Sequence, residues 1–136
     1  MVNFCNISDL YKIINLGKLI NNNFDKVNNL EEIINKNNII GYYSEDKLVG
    51  FLMYDTNYEI TDLIYVVVEP IYRRRGIGYS LVKYLVENTN TDKIMLEVRC
   101  DNDSAIRLYK KFGFKIINTR RRYYDNSDAY VMELIK

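Results

Sequence analysis

One loop, between an apolar strand and a helix, constrains this chain of 136 residues more than any other feature. A β-branched run at residues 66–68 ends at Glu69 and Pro70, and the motif R-x-x-G-x-G follows at residues 73–78. Glycine lets the backbone approach a ligand closely, and the amino end of a helix carries a partial positive charge. The loop therefore predicts a cradle for a phosphate group.

The residue pattern of this motif excludes two common classes of phosphate-binding loop. A Walker loop needs G-x-x-x-x-G-K-[ST], and that string does not occur in the chain. The dinucleotide fingerprint needs a third glycine three residues after Gly78, where this chain has Leu81. The arginines at positions 73–75 either bind phosphate groups or form a solvated basic loop, and the adjacent glycines favour binding.

Length and composition predict one domain over residues 1–136, since 48% of the residues are hydrophobic and can form a core. The formal net charge of +1 argues against a nucleic-acid binder. The sequence has no run of 18 apolar residues, and polar residues interrupt its start, so we expect a cytoplasmic protein without a membrane span or signal peptide. Cys5 and Cys100 lie far apart and predict free thiols.

Histidine is absent from the chain. Its absence excludes Ser-His-Asp and Cys-His nucleophile systems as well as histidine-ligated zinc, and we expect no metal. Any general acid or base must therefore be a carboxylate, a tyrosine, a lysine, a cysteine or bound water.

The spacing of apolar residues predicts an α/β fold in which antiparallel strands form a hairpin and two strand–helix crossovers follow it in the chain. Helices are predicted near residues 10–20, 30–34, 78–87 and 105–112. Gly113 stands where the last helix would end. Strands are predicted at residues 39–44, 48–54, 62–69, 94–100, 114–117 and 129–135. Taken together, these helices and strands predict a mixed, mostly antiparallel central sheet of about seven strands with about four helices.

The second half of the chain resembles a known family through several motifs in the same order and spacing. They are Leu96-Glu97-Val98-Arg99, Asn102, Ala105-Ile106, Leu108-Tyr109, Gly113-Phe114, the arginines 120–122, Tyr123-Tyr124 and Asp128-Ala129. With the R-x-x-G-x-G loop, over residues 48–136, they resemble the RimI-type ribosomal-protein-alanine N-acetyltransferases of the GNAT acetyltransferase superfamily. The resemblance implies the GNAT-type fold and an acetyl-CoA-dependent N-acetyltransferase.

The resemblance also implies which residues hold acetyl-CoA, the co-substrate. The backbone of the strand before the loop would pair with the pantetheine arm, and the next strand, residues 94–100, would splay away. Asn102 would contact the coenzyme, and a simple helix N-cap is the alternative for it. The predicted coenzyme-binding residues are Val66, Val67, Val68, Arg73, Arg74, Arg75, Gly76, Ile77, Gly78, Tyr79 and Asn102.

Two residues are the catalytic candidates that the resemblance implies. Glu97, which lies mid-strand between apolar neighbours, is the candidate general base, and a strand carboxylate paired with Arg99 or a neighbour is the alternative. Tyr109 is the candidate general acid, because a phenol with a pKa of about 10 stays protonated at neutral pH and can donate to a thiolate. A core tyrosine is the alternative for Tyr109, and both roles are compatible. For the arginines 120–122 we expect a solvated strand face.

The acceptor that the resemblance implies is the N-terminal alanine of a small-subunit ribosomal protein. A terminal amine is about 2.6 pKa units, or about 3.5 kcal/mol, easier to deprotonate than lysine, which suits a site without histidine. The family's Phe-Pro-Trp segment reads here as residues 21–26, in which Phe24 is the lone aromatic. The alternatives are therefore a GNAT enzyme that acetylates a small-molecule amine or a lysine side chain, and a non-catalytic acyl-CoA-binding module. Asp125 and Asp128 either attract a basic peptide or belong to a plain polar turn.

Overall fold

The computed structural model describes residues 1–124 and 127–136, with the side chains of residues 122–124 left out. The strands are β1 (Val2–Phe4), β2 (Ile39–Ser44), β3 (Lys47–Asn57), β4 (Ile60–Val68), β5 (Lys93–Arg99), β6 (Lys115–Tyr124) and β7 (Ser127–Ile135). The α-helices are α1 (Leu10–Gly17), α2 (Phe24–Val27), α3 (Leu30–Asn35), α4 (Ile77–Asn88) and α5 (Asp103–Lys111). Two short 3-10 turns lie at Ile7–Asp9 and Pro70–Tyr72.

The seven strands form one sheet in the order β1-β2-β3-β4-β5-β7-β6. The ladders β1–β2, β2–β3, β5–β7 and β6–β7 are antiparallel, and the β4–β5 ladder is parallel. Because parallel neighbours need a crossover connection, α4 lies between β4 and β5 in the chain. The sheet confirms the predicted mixed α/β fold. The described residues add one helix to the four predicted, the four-residue α2, which is too short to show helical spacing.

Backbone contacts divide the chain into two compact units. The first comprises residues 1–54 and 65–87, and the second comprises residues 55–64 and 88–136. The first contains the R-x-x-G-x-G loop, and the second contains Glu97, Asn102 and Tyr109.

The core of the first unit is centred on Phe24. This side chain is fully buried, and its ring centroid lies 5.9 Å from that of Phe51 and 5.2 Å from that of Tyr65. Gly17 makes room for it, because a Cβ at residue 17 would lie 2.2 Å from the Phe24 ring. The predicted helical face is right as far as Gly17. Ile20 is 43% exposed, contrary to the prediction, because α1 ends before it.

The predicted hairpin is formed by β2 and β3. Ser44 pairs with Lys47 across a two-residue turn in which Glu45 and Asp46 have φ angles of 50° and 64°. Two consecutive positive φ angles match the twist of the adjoining strands, as in a type I′ turn. Strand β3 therefore begins at Lys47, directly after the turn.

In the second unit, α5 has the predicted ends. The Asn102 side-chain oxygen accepts a hydrogen bond from the Ala105 N–H at 3.2 Å, which confirms the N-cap. Gly113 has a φ of 97°, the left-handed conformation that ends many helices. The helix buries Ile106 and Tyr109.

The last two strands are longer than predicted. Strand β6 runs to Tyr124 and β7 begins at Ser127, whereas the apolar pattern placed their inner ends at residues 117 and 129. The extension carries exposed polar residues, among them Thr119, Arg120 and Arg121, so hydrophobic alternation does not reveal it. The arginine triplet consequently lies within β6.

Candidate functional site

The loop after β4 has the backbone geometry of an anion cradle. Arg74 and Gly76 have φ angles of 65° and 78°, and helix α4 begins at the next residue, Ile77. A Cβ at Gly76 would meet nothing within 4 Å, so the conformation, rather than crowding, favours glycine there. The first N–H groups of a helix have no partner within the helix, and they can therefore bind an anion.

Side chains and strand contacts fix the loop onto the end of β4. The Arg73 Nε donates to the Val68 carbonyl oxygen at 3.1 Å, and the Glu69 N–H donates to the Val49 carbonyl oxygen at 2.8 Å. The Lys12 ammonium forms an ion pair with the Glu69 carboxylate at 3.4 Å. A Cβ at Gly50 would lie only 3.0 Å from the Val67 carbonyl oxygen, so a glycine allows this close approach. Arg73 thus holds the loop in addition to any contact with a ligand.

Cationic side chains gather at Tyr72, directly before the three arginines. The guanidinium carbon of Arg75 lies 5.1 Å from the centre of the Tyr72 ring, and the Lys47 ammonium lies 5.9 Å from it. These are cation–π distances. The sequence did not reveal Lys47, because the hairpin turn brings it to the loop from a distant position.

The other predicted loop residues differ in what they can offer. Ile77 is 5% exposed, so its side chain belongs to the core and only its backbone is available to a ligand. Tyr79 is 44% exposed, and Arg74 and Arg75 are exposed. The coenzyme contacts of all these residues remain predictions.

In the second unit, Glu97 lies on the face of β5 predicted by alternation. Leu96 and Val98 are buried, whereas Glu97 keeps 28% of its side chain exposed. Its Oε1 accepts a hydrogen bond from Arg120 Nη1 at 2.5 Å. Arg99 instead donates two hydrogen bonds of 3.1 Å to Asp101. Glu97 is therefore paired with a neighbouring residue, Arg120, as the alternative interpretation expected.

Two further carboxylates influence this face of the sheet. Asp62 of β4 is opposite Met95, so it lies on the same face as Glu97. Burial raises the pKa of Asp62 above its ordinary value, and repulsion from Asp55 and Glu97 raises it further. Asp55 and Glu97 thus both act on Asp62, and Glu97 is itself paired with the Arg120 guanidinium. Sequence reasoning found neither aspartate.

Tyr109 and Asn102 lie on and directly before α5. Tyr109 is 7% exposed and its ring centroid lies 5.7 Å from that of Phe114, which confirms that it is a core residue. Asn102 is exposed, and its cap uses only Oδ1, so its amide nitrogen can serve another partner. Their predicted roles toward the coenzyme stay predictions.

Other predicted features have mixed outcomes. Cys5 and Cys100 are free thiols, as expected, and burial raises the pKa of the Cys5 thiol to about 12.

Asp125 and the side chains at Tyr123 and Tyr124 lie outside the described residues. Within residues 1–124 and 127–136, no group of three metal-ligating side chains is present. The helices described are all too short or too polar to cross a membrane.

A family model for the acetyltransferase (GNAT) family matches residues 8–114, which include the loop, Glu97 and Tyr109. The chain belongs to the GNAT family. Among solved structures, a GNAT acetyltransferase from Bacillus cereus superposes with a TM-score of 0.87 at 25% identity, covering 100% of this chain and 96% of that one. Ard1 from Thermoplasma volcanium gives a TM-score of 0.85 at 26% identity, with 99% and 96% covered.

Curated relatives of this GNAT chain include an N-alpha-acetyltransferase and a ribosomal-protein-alanine N-acetyltransferase. The N-alpha-acetyltransferase RimI of Mycobacterium tuberculosis is 45% identical over 67 residues, which are 48% of this chain and 42% of that protein. The ribosomal protein bS18-alanine N-acetyltransferase of Escherichia coli K12 is 33% identical over 86 residues, which are 61% and 58% of the two. The chain spans less than two thirds of the length of these relatives.

Proposed function

We propose that residues 1–136 act as one acetyltransferase domain that transfers the acetyl group of acetyl-CoA to the α-amine of a protein N-terminus. The single observation that carries the coenzyme part is the cradle at the start of α4, with left-handed backbone at Arg74 and Gly76. Lys47 and the arginines 73–75 supply positive charge for the coenzyme phosphates. The names of the curated relatives support the reaction and the amine acceptor.

The end of β4 is the proposed site for the pantetheine arm. The β4–β5 ladder ends at the pair Leu63 and Leu96, although β4 continues to Val68. An arm that carries amide groups can pair with strand backbone in the manner of an added strand. This supports the assignment of Val66, Val67 and Val68 to the coenzyme.

In the proposed reaction, the acceptor nitrogen bonds to the thioester carbonyl carbon and the carbon–sulfur bond breaks. Glu97 takes a proton from the ammonium, directly or through water, so that a neutral amine can attack. Tyr109 donates its phenolic proton to the leaving thiolate and recovers one from the new amide nitrogen. One ammonium and one thioester thus give one amide, one thiol and one proton.

The charges near Glu97 support a cationic acceptor. Asp55 and Glu97 both repel Asp62, and the Arg120 guanidinium is paired with Glu97. An α-ammonium group that reaches this face therefore gains Coulomb energy before it gives up its proton. The finer proposal is an N-terminal alanine, with a small-subunit ribosomal protein as the natural partner.

A second candidate is acetylation of a small amine or a lysine side chain. The observation in its favour is the burial of Phe24, the only aromatic residue of the segment 21–26, within the core of the first unit. That ring is therefore not available to form a wall for a peptide acceptor.

The test offers the enzyme, with acetyl-CoA, an alanine-initiated ribosomal-protein-like peptide, the same peptide blocked at its N-terminus, and a panel of polyamines. Mass spectrometry then maps the added acetyl group. We expect acetylation of the free α-amine and none of the blocked peptide. Acetylated lysine or polyamine, with the free alanine peptide untouched, would establish the second candidate instead.

A further inference from the structure

Glu97 and Arg120 interact across an intervening strand. Glu97 of β5 is opposite Val131 of β7, and Arg120 of β6 is opposite Ala129 of β7. Strands two places apart in a sheet are separated by about 9.6 Å, so Arg120 must reach over β7 to donate to Oε1. Ala129 is fully buried and carries only a methyl group, and it therefore leaves a path for the longer side chain.

The strand register allows Arg120 to reach Glu97 and to donate a hydrogen bond to it. Arg99 of β5 is also opposite Ala129, across the β5–β7 ladder. Its Nε and Nη2 atoms donate hydrogen bonds to Asp101. The carboxylate of Asp62 repels that of Glu97. A Glu97 side chain without Arg120 would consequently be driven away from Asp62 and would sample several rotamers.

We propose that Arg120 is a positioning residue, which holds Oε1 of Glu97 so that Oε2 faces the acceptor amine or the water that deprotonates it. The inference rests on the proposed function, in which Glu97 is the general base. Arg120 itself touches neither the thioester nor the amine. Its contribution is to fix one orientation of the base before the acceptor arrives, and a base held in the reactive orientation lowers the entropy cost of the step.

The experiment compares single-turnover acetylation of the alanine peptide by wild type, Arg120→Met, Arg120→Lys and Arg121→Met. Arg121 is the matched control, since it is exposed and carries the same charge one residue further along β6. A second set repeats Arg120→Met in a Glu97→Gln background. Acetyl-CoA binding and thermal unfolding are also measured for each variant. Because the Arg120 side chain is 48% exposed, its loss is expected to leave the melting temperature nearly unchanged.

We expect Arg120→Met to lower the turnover rate about tenfold while the KM for acetyl-CoA stays within about twofold, and Arg120→Lys to recover part of the rate. Arg121→Met should behave as wild type. In the Glu97→Gln background, Arg120→Met should have no further effect, because both substitutions remove the same function.

Three results would overturn the inference. An Arg120→Met rate equal to that of Arg121→Met, or a full additional tenfold loss in the Glu97→Gln background, shows that Arg120 does not act through Glu97. If the Glu97→Gln variant itself reacts at the rate of the wild-type enzyme, Glu97 is not the general base, and the positioning role of Arg120 is rejected with it. A slow Glu97→Gln beside a fast Arg120→Met leaves the proposed function intact and rejects the positioning role alone.

Discussion

The coenzyme loop of the first unit and the Glu97 face of the second unit are built from different parts of the chain. The loop is a backbone structure, in which a strand end, left-handed Arg74 and Gly76, and the start of α4 follow one another within eleven residues, 67–77. The Glu97 face is a side-chain structure, in which Asp55, Asp62, Glu97 and Arg120 come from four different strands. A local motif can therefore encode the first, whereas the second depends on strand register.

This difference predicts that the loop is most sensitive to a change of backbone conformation. Gly76→Val should abolish the rise in melting temperature that acetyl-CoA produces, because a β-branched residue strongly disfavours a φ of 78° and would fill the space above the loop. The measurement is thermal unfolding with and without millimolar acetyl-CoA.

Gly113→Ala is the control for Gly76→Val. Gly113 also has a positive φ, and its Cβ would lie 3.3 Å from a side-chain atom of Leu134, so the substitution should lower stability. The coenzyme-dependent shift should persist in this variant. A shift that survives in Gly76→Val would contradict the assignment of the loop to the coenzyme.

The two catalytic candidates of the second unit, Glu97 and Tyr109, should be sensitive to side-chain chemistry alone. Glu97→Gln and Tyr109→Phe should each cut single-turnover rates by about 10²-fold and leave acetyl-CoA binding nearly unchanged, since both retain the shape of the residue. Single-turnover measurements are needed because slow product release would mask a change in the chemical step.

Glu69→Gln is the matched control for Glu97→Gln. Glu69 is a partly buried carboxylate in an ion pair with Lys12, and it belongs to the first unit. Because Glu69 helps to hold the coenzyme loop, the comparison is made at saturating acetyl-CoA, where its replacement should leave the single-turnover rate near that of wild type. A slow Glu69→Gln together with a fast Glu97→Gln would transfer the role of general base to Glu69.

Lys47 sharpens the comparison, because it adds a side-chain contribution to the backbone loop. Lys47→Met should weaken acetyl-CoA binding by about tenfold or less, as expected for one partly solvated charge, and the effect should shrink at high salt. Titration calorimetry at two ionic strengths measures it. Lys83→Met is a suitable control, because Lys83 pairs with Glu87 on the exposed side of α4. Equal binding by both variants would remove Lys47 from the site.

The two regions also show what the sequence could predict. Features that depend on neighbours in the chain were predicted correctly. They are strand β4 and the glycine loop after it, the caps of α5, and the alternation of β5. The pairing of Glu97 with Arg120 was not, because it needs β7 between β5 and β6 and a register that places Ala129 beside Arg120. The arginine triplet was expected to be a solvated face, and Arg120 and Arg121 are exposed as expected. The contact of Arg120 with Glu97 is an addition to that prediction.

The smallest expected effect concerns Asp62. Its pKa is raised in the folded state, so the unfolded state loses its proton first, and stability falls as the pH rises above the ordinary value of 3.8. Asp62→Asn should therefore stabilise the protein at pH 7, by less than about 1 kcal/mol since the group is partly solvated, and the gain should vanish below the ordinary pKa. Urea unfolding at pH 7 and pH 3 measures it, with exposed Glu59→Gln as the control. A destabilised Asp62→Asn at pH 7 would contradict the repulsion.

The most direct test of the division between binding and chemistry is the rate of acetyl transfer to the alanine peptide as a function of acetyl-CoA concentration. Lys47→Met should reach the wild-type rate at saturating acetyl-CoA, because its defect lies in binding. Glu97→Gln should remain about 10²-fold slower at every concentration, because its defect lies in the chemical step. A Glu97→Gln rate that is rescued by acetyl-CoA, or a Lys47→Met rate that is not, would contradict the account.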